Sequence, residues 1–110
     1  MVTKVTGQGP PLVLIPGGIA GWLSLDDKQE RLAATRKVIR IQLVNVQNAL
    51  ENRPLEPDYS IQTEIDALAE VFNELGLVEP LDIVGWSYGS VVALNYAANN
   101  PARINSLTLV

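Results

Sequence analysis

The chain has 110 residues, of which 47% are hydrophobic and 18% charged, and its formal net charge is −4. This composition suits one packed domain, and the acidic balance argues against nucleic-acid or anionic-membrane partners, because either would need a basic surface. Without cysteine, an apolar run of the ~20 residues that span a membrane, or a recognisable signal peptide, the sequence predicts a cytoplasmic protein with no disulfide framework, metal or cofactor.

The first residues predict two strands joined by a turn. A weak alternation over residues 2–6 leads into the turn-forming segment 7–10, which indicates a strand that turns into the next one. Residues 12–15 are wholly apolar, as in a parallel strand whose sheet is covered by helices on both faces. The glycine-rich residues 16–21 then predict a loop.

A helix, a strand and a long loop are expected next. Asp26 or Asp27 is in position to cap a helix that ends near Thr35, since a carboxylate can accept hydrogen bonds from free helix amides. Residues 38–43 are rich in β-branched side chains, which favours a strand. Residues 45–58 contain Asn, Pro and charged residues without periodicity, and this predicts a surface loop.

Two helices and two further strands are predicted in the second half. Ser60 is a good cap for a helix that ends at Gly76. Its apolar residues recur at helical spacing and indicate a core face: Ile61, Ile65, Leu68, Phe72 and Leu75. A strand begins at Leu81, and a second helix ends at the Asn-Asn-Pro segment 99–101. Residues 107–110 then predict a buried strand.

Strands that alternate with helices at these spacings predict an α/β fold with a doubly wound, mostly parallel sheet. In such sheets ligands bind beyond the carboxyl ends of the strands, where the glycine-bearing turns at residues 17–18 and 85–89 both fall. Bringing these turns together requires the strand at residues 12–15 to lie between those at 38–43 and at Leu81. The strand at residues 107–110 is then outermost.

The turn at residues 85–89 carries the most specific motif of the chain. Gly85-Trp86-Ser87-Tyr88-Gly89 is a G-x-S-x-G pattern that lies between an apolar, strand-like run and a helical pattern. In this context the turn holds the central residue in a strained conformation with its hydroxyl exposed above the sheet, and the glycines let neighbouring chain approach. Ser87 is therefore the predicted nucleophile, with an incidental Gly/Ser turn as the alternative.

These residues resemble the α/β-hydrolase family across essentially the whole chain. The match is to the family's N-terminal portion, which implies that residues 1–110 are the N-terminal part of a single domain without its later strands and helices. Gly85 to Gly89 is similar to the nucleophile elbow of the family. Leu14-Ile15-Pro16-Gly17-Gly18 is similar to its oxyanion loop, which usually reads His-Gly, with Pro16 in place of the histidine.

The resemblance implies a role for three residues. Ser87 is the nucleophile, and the backbone N–H groups of Tyr88 and Gly18 form the oxyanion hole. The position of Tyr88 supports this, because the first amides of a helix are unpaired and lie at the positive end of its dipole. A plain tight turn at Gly17 and Gly18 is the alternative for the second donor.

Four residues are predicted to contact the substrate: Gly17, Ile19, Trp22 and Trp86. Gly17 and Ile19 flank the proposed oxyanion donor. The two tryptophans, together with Tyr88, are expected to line the acyl pocket, and ordinary packing aromatics are the alternative.

No histidine is present in the chain, so the usual base for a serine nucleophile is missing. The family takes its acid and its histidine from segments that follow later strands. Asp82 does not fit the role of acid, because five residues of extended strand place it ~16 Å from Ser87. We therefore predict a serine hydrolase that acts on a small ester or other acyl substrate through an acyl-enzyme on Ser87, with an incomplete triad in these 110 residues.

Two other classes of protein remain as alternatives. A truncated or noncatalytic α/β-hydrolase-like binding protein is one, and it would expose an apolar outer strand near Val110 through which copies self-associate. A Rossmann-type nucleotide-binding module is the other. The glycines of residues 17–21 do not match its G-x-G-x-x-G pattern, and the strand at residues 38–43 is not followed by the acidic residue that binds a ribose.

Overall fold

In the computed structural model, which describes residues 1–110, five strands form one sheet. The strands are β1 Thr3–Thr6, β2 Pro11–Pro16, β3 Lys37–Ile41, β4 Leu81–Trp86 and β5 Ile104–Leu109. Their spatial order is β1-β3-β2-β4-β5, and only the β1–β3 pair is antiparallel. The predicted order is confirmed: β2 lies between β3 and β4, and β5 is outermost.

Five α-helices and one short 3₁₀ turn connect the strands. They are α1 Ile19–Leu23, α2 Asp26–Leu32, α3 Val44–Leu50, α4 Ile61–Glu74 and α5 Tyr88–Asn99, with the 3₁₀ turn at Pro101–Arg103. None of these helices has the length and apolar character needed to cross a bilayer. The cytoplasmic location stays a prediction.

Apolar residues are buried on both faces of the sheet, as the unbroken apolar run of β2 predicts. Val13 and Ile15 belong to the larger cluster, which also contains residues of α4 and α5. Leu12 and Leu14 point to the other face and form a smaller cluster with Val38. Helices therefore flank the sheet, and the α/β fold class is confirmed.

The predicted loop at residues 45–58 is wrong for its first half, which forms α3. This helix has no side-chain cap of its own, and its N-cap is Leu43. Instead, the buried carboxylate of Glu64 accepts hydrogen bonds from the amides of Val44 (2.7 Å) and Asn45 (3.0 Å). The segment is helical because a residue about 20 positions away caps it and because Val46 is buried.

Two helix starts also differ from the prediction. The expected loop at residues 16–21 ends early, because α1 already begins at Ile19. Asp26 does not cap α2 but lies in its first turn after Leu25, and its carboxylate pairs with Arg40 at 2.6 Å. That carboxylate is drawn to a buried guanidinium rather than to the helix amides. By contrast, Ser60 caps α4 as predicted.

Candidate active site

Ser87 lies in the turn between β4 and α5 and has an unusual backbone conformation. Its φ is 57° and its ψ is −135°, while its side chain is exposed. Such a conformation persists only where the surroundings hold it in place. Here the Ser87 amide donates to the Val110 carbonyl at 3.2 Å, and its own carbonyl accepts from the amide (3.0 Å) and hydroxyl (2.6 Å) of Ser90. The strained turn and exposed hydroxyl predicted from the motif are both present.

The end of β2 presses directly against the start of α5. A Cβ atom on Gly89 would lie 1.9 Å from the Ile15 carbonyl oxygen, and one on Gly17 would lie 2.5 Å from the amide nitrogens of both Tyr88 and Gly89. Only glycine permits this approach. The two glycine turns therefore meet at one edge of the sheet.

This contact places Gly17, the residue before Gly18, against the first amides of α5, directly after the predicted nucleophile. Tyr88 is the first residue of α5, so its amide has no partner within the helix. Gly18 is the N-cap of α1 and has extended backbone, and its carbonyl accepts from the Trp22 amide at 3.0 Å. Gly17 is buried between the two segments, whereas Gly18 is exposed. The oxyanion role of the two amides stays a prediction.

The three larger residues predicted to contact substrate lie in different surroundings. Ile19 begins α1 and is 37% exposed. Trp22 is only 5% exposed, belongs to the main core and stacks on the guanidinium of Arg40, 4.9 Å from its ring centroid. Trp86 is half-buried and packs against the smaller apolar cluster. Both tryptophans thus make packing contacts, and their contact with substrate stays a prediction.

A hydrogen-bonded cluster beside Tyr88 was missed by the sequence analysis. The Tyr59 hydroxyl donates to Glu64 Oε2 at 2.7 Å and lies 2.9 Å from the Tyr88 hydroxyl. Burial and the hydrogen bond to Glu64 raise the pKa of the Tyr59 phenol, so this hydroxyl stays protonated. One signal was available, since Glu64 falls on the apolar face of α4, three residues after Ile61 and four before Leu68.

The carboxylate of Asp82 makes hydrogen bonds that join neighbouring segments of the sheet. Its carboxylate accepts hydrogen bonds from Arg36 (2.7 Å), Asn105 (2.6 Å) and Ser106 (2.7 Å), which tie β4 to β5 and to the chain before β3. Hydrogen bonds from Ser106, Asn105 and Arg36, in that order of effect, hold the pKa of Asp82 below its usual value. These contacts give Asp82 a structural role.

Comparison with known proteins agrees with this geometry. Residues 10–110 match the family model described as alpha/beta hydrolase fold. The chain is 30% identical over 108 residues to 2-hydroxymuconate semialdehyde hydrolase of Pseudomonas sp. (strain CF600), covering 96% of this chain and 37% of that protein. It is 35% identical over 96 residues to pimeloyl-[acyl-carrier protein] methyl ester esterase of Neisseria meningitidis serogroup C, covering 87% of this chain and 34% of that one.

Solved structures show the same fold at lower identity. An alpha/beta hydrolase enzyme, MGS-M2, from a Medee basin deep-sea metagenome library superposes with a TM-score of 0.80 at 21% identity, over 98% of this chain and 39% of that one. The meta-cleavage product hydrolase of Pseudomonas fluorescens IP01 gives a TM-score of 0.79 at 22% identity, over 96% of this chain and 39% of that one. This chain therefore spans well under half the length of the relatives it matches.

Proposed function

The chain belongs to the α/β-hydrolase family, and we propose that Ser87 is the nucleophile of a hydrolase that acts on a small ester or other acyl substrate. The observation that carries the proposal is the backbone of Ser87, whose φ of 57° presents an exposed hydroxyl between a strand end and a helix start. A structural serine has no need of this conformation. Sites that store backbone strain are commonly functional.

The proposed reaction forms an acyl-enzyme. Ser87 Oγ attacks the carbonyl carbon of the substrate, and its proton passes to a base. The carbonyl oxygen gains negative charge and is stabilised by the amides of Tyr88 and Gly18. When the tetrahedral intermediate collapses, the C–O bond to the leaving group breaks, the protonated base gives its proton to that oxygen so that the alcohol leaves, and the acyl group stays on Ser87 until water hydrolyses it. Each such amide contributes about 100- to 1,000-fold to turnover.

The 110 residues contain no histidine that could serve as the base. We therefore propose that they turn over esters slowly by themselves, with a residual acceleration of ~1,000-fold over water from the oxyanion hole and from binding. The relatives named above are hydrolases whose names specify a semialdehyde and a methyl ester. A carbonyl compound of this general kind is the substrate class that we propose.

The experiment that tests the nucleophile supplies the missing base from solution. A fluorophosphonate probe reacts when a Ser87 Oγ–P bond forms, the P–F bond breaks with release of fluoride, and the serine proton passes to a base. We expect little adduct in buffer and faster labelling when imidazole is added. Mass spectrometry should locate the adduct on Ser87.

The matched controls are two serine-to-alanine variants. Ser87→Ala should abolish imidazole-supported labelling, whereas Ser24→Ala, at an exposed serine after α1, should react like the unaltered chain. No adduct on Ser87 with imidazole present would contradict the proposal and favour a noncatalytic binding protein. Rapid p-nitrophenyl acetate hydrolysis without imidazole, lost in Ser87→Ala, would show that these residues already contain a working base.

A further inference from the structure

We propose that Glu64 is a positioning residue that orients both backbone donors of the oxyanion hole, an inference that rests on the proposed function. Glu64 has 0% exposure, although a carboxylate is among the costliest groups to bury without partners. Three donors satisfy it: the amides of Val44 and Asn45 and the hydroxyl of Tyr59. Two of these residues make a further hydrogen bond toward the predicted oxyanion donors: Asn45 to the Gly17 carbonyl and Tyr59 to the Tyr88 hydroxyl.

The first connection runs through Tyr59 to Tyr88. The phenol of Tyr59 has one proton, and this proton is donated to Glu64 Oε2. The 2.9 Å contact between the two phenols must then have the Tyr88 hydroxyl as donor and the Tyr59 oxygen as acceptor. Glu64 thus fixes the direction of the chain of hydrogen bonds and holds the side chain of Tyr88, whose amide is the first of α5.

The second connection runs through Asn45 to Gly17. Glu64 holds the Asn45 amide at 3.0 Å, and Asn45 Nδ2 makes a long contact of 3.5 Å with the Gly17 carbonyl. In a trans peptide the carbonyl and the following N–H point in opposite directions. A group that holds the Gly17 carbonyl therefore directs the Gly18 N–H to the other side of the peptide plane.

One buried carboxylate is thereby coupled to donors from two segments that are 70 residues apart in sequence, Gly18 and Tyr88. Oxyanion stabilisation depends on donors that are fixed before the reaction begins. A glutamine at position 64 is neutral and has a single acceptor oxygen, so its NH₂ group would face either the Val44 amide or both the Asn45 amide and the Tyr59 hydroxyl. Any hydrogen bond that Glu64→Gln retains loses its charge assistance, so this variant conserves shape while weakening or breaking both connections.

The test measures imidazole-supported phosphonylation of Ser87 in the full chain at several probe concentrations. We expect Glu64→Gln to lower the maximal rate by about tenfold or more, with the half-saturating probe concentration changed by less than about twofold. Tyr59→Phe breaks only the first connection and should give a smaller loss. Asp66→Asn makes the same chemical change at an exposed position of α4 and should have no effect.

Backbone NMR gives a readout that needs no turnover. In Glu64→Gln the amide resonances of both Tyr88 and Gly18 should shift, whereas in Tyr59→Phe only that of Tyr88 should. Lower thermal stability with unchanged labelling and unchanged amide shifts would overturn the inference. If Glu64→Gln and the unaltered chain are labelled on Ser87 at equal rates, the role of Glu64 is overturned and the proposed function stands. If the unaltered chain forms no adduct on Ser87, both the role of Glu64 and the proposed function are overturned. If Glu64→Gln fails to fold, the Tyr59→Phe pattern decides the first connection.

Discussion

Gly89 is the residue whose size sets the distance between the nucleophile turn and β2. The backbone of α5 approaches the Ile15 carbonyl so closely that a Cβ atom would lie 1.9 Å from its oxygen. Backbone cannot move aside as a flexible side chain can. The second glycine of the motif is thus required by packing in this fold, independently of any chemistry.

Gly89→Ala should therefore destabilise the chain by about 1–3 kcal/mol, because the added methyl group forces backbone apart. Urea unfolding followed by tryptophan fluorescence measures this. Gly18→Ala is the matched control, since nothing lies within 4 Å of its Cβ position and its φ of −145° suits any residue. We expect a change of less than about 1 kcal/mol there. Equal losses in both variants would contradict the close approach.

Asp82 gives a prediction about pH. Its pKa is lowered by hydrogen bonds from Ser106, Asn105 and Arg36, so its contribution to stability is present above its unfolded pKa of about 3.9 and is lost as pH falls through the lower folded value. Asp82→Asn should cost about 1 kcal/mol at pH 7, since the site is partly exposed to solvent. The difference should shrink as the pH is lowered below 4.

Thermal unfolding of the unaltered chain and of Asp82→Asn at several pH values measures how their difference in stability depends on pH. Asp58→Asn, which changes an exposed carboxylate in the loop before α4, is the control and should unfold like the unaltered chain. A difference between Asp82→Asn and the unaltered chain that persists at the lowest pH would show that the hydrogen bonds do not depend on the charge of Asp82.

At the scale of elements, the sequence predicted what is encoded locally. The order of β2, β3 and β4 and the position of Ser87 follow from apolar runs and a five-residue motif. α4 was predicted because its cap, Ser60, and its apolar stripe belong to the same stretch of sequence. α3 was missed because its cap comes from Glu64. The roles of Trp22 and Trp86 were left open for the same reason, since they depend on what packs against them after folding.

The dependence of α3 on Glu64 is testable by hydrogen exchange. A helix of seven residues is too short to be stable alone. In Glu64→Gln we expect its amides to exchange at least about tenfold faster, because local opening becomes easier, while those of α5 change little. Uniform acceleration throughout the chain would instead mean that Glu64 contributes to global stability only.

At the scale of the whole molecule, the sheet has an open edge at β5. Its backbone pairs with β4 on one side only. Apolar side chains lie exposed beside this edge, with Leu109 43% and Val110 78% exposed, so the prediction that the strand at residues 107–110 is buried was wrong. An unpaired strand with exposed apolar residues is a template for another strand. We therefore propose that the 110-residue chain self-associates through β5, with a second copy as the partner.

Thr108→Lys tests this proposal, because a charged side chain on an edge strand opposes edge-to-edge pairing. Thr108 is exposed on β5, and Thr6 is exposed on β1 at the opposite edge of the sheet. Sedimentation over a range of concentrations should show reversible association of the unaltered chain, weakened at least about tenfold in Thr108→Lys and little changed in Thr6→Lys. If Thr6→Lys has the larger effect, association uses β1. If the unaltered chain sediments as a monomer at every concentration and unfolds cooperatively, the exposed edge is tolerated and the 110 residues form a self-sufficient unit.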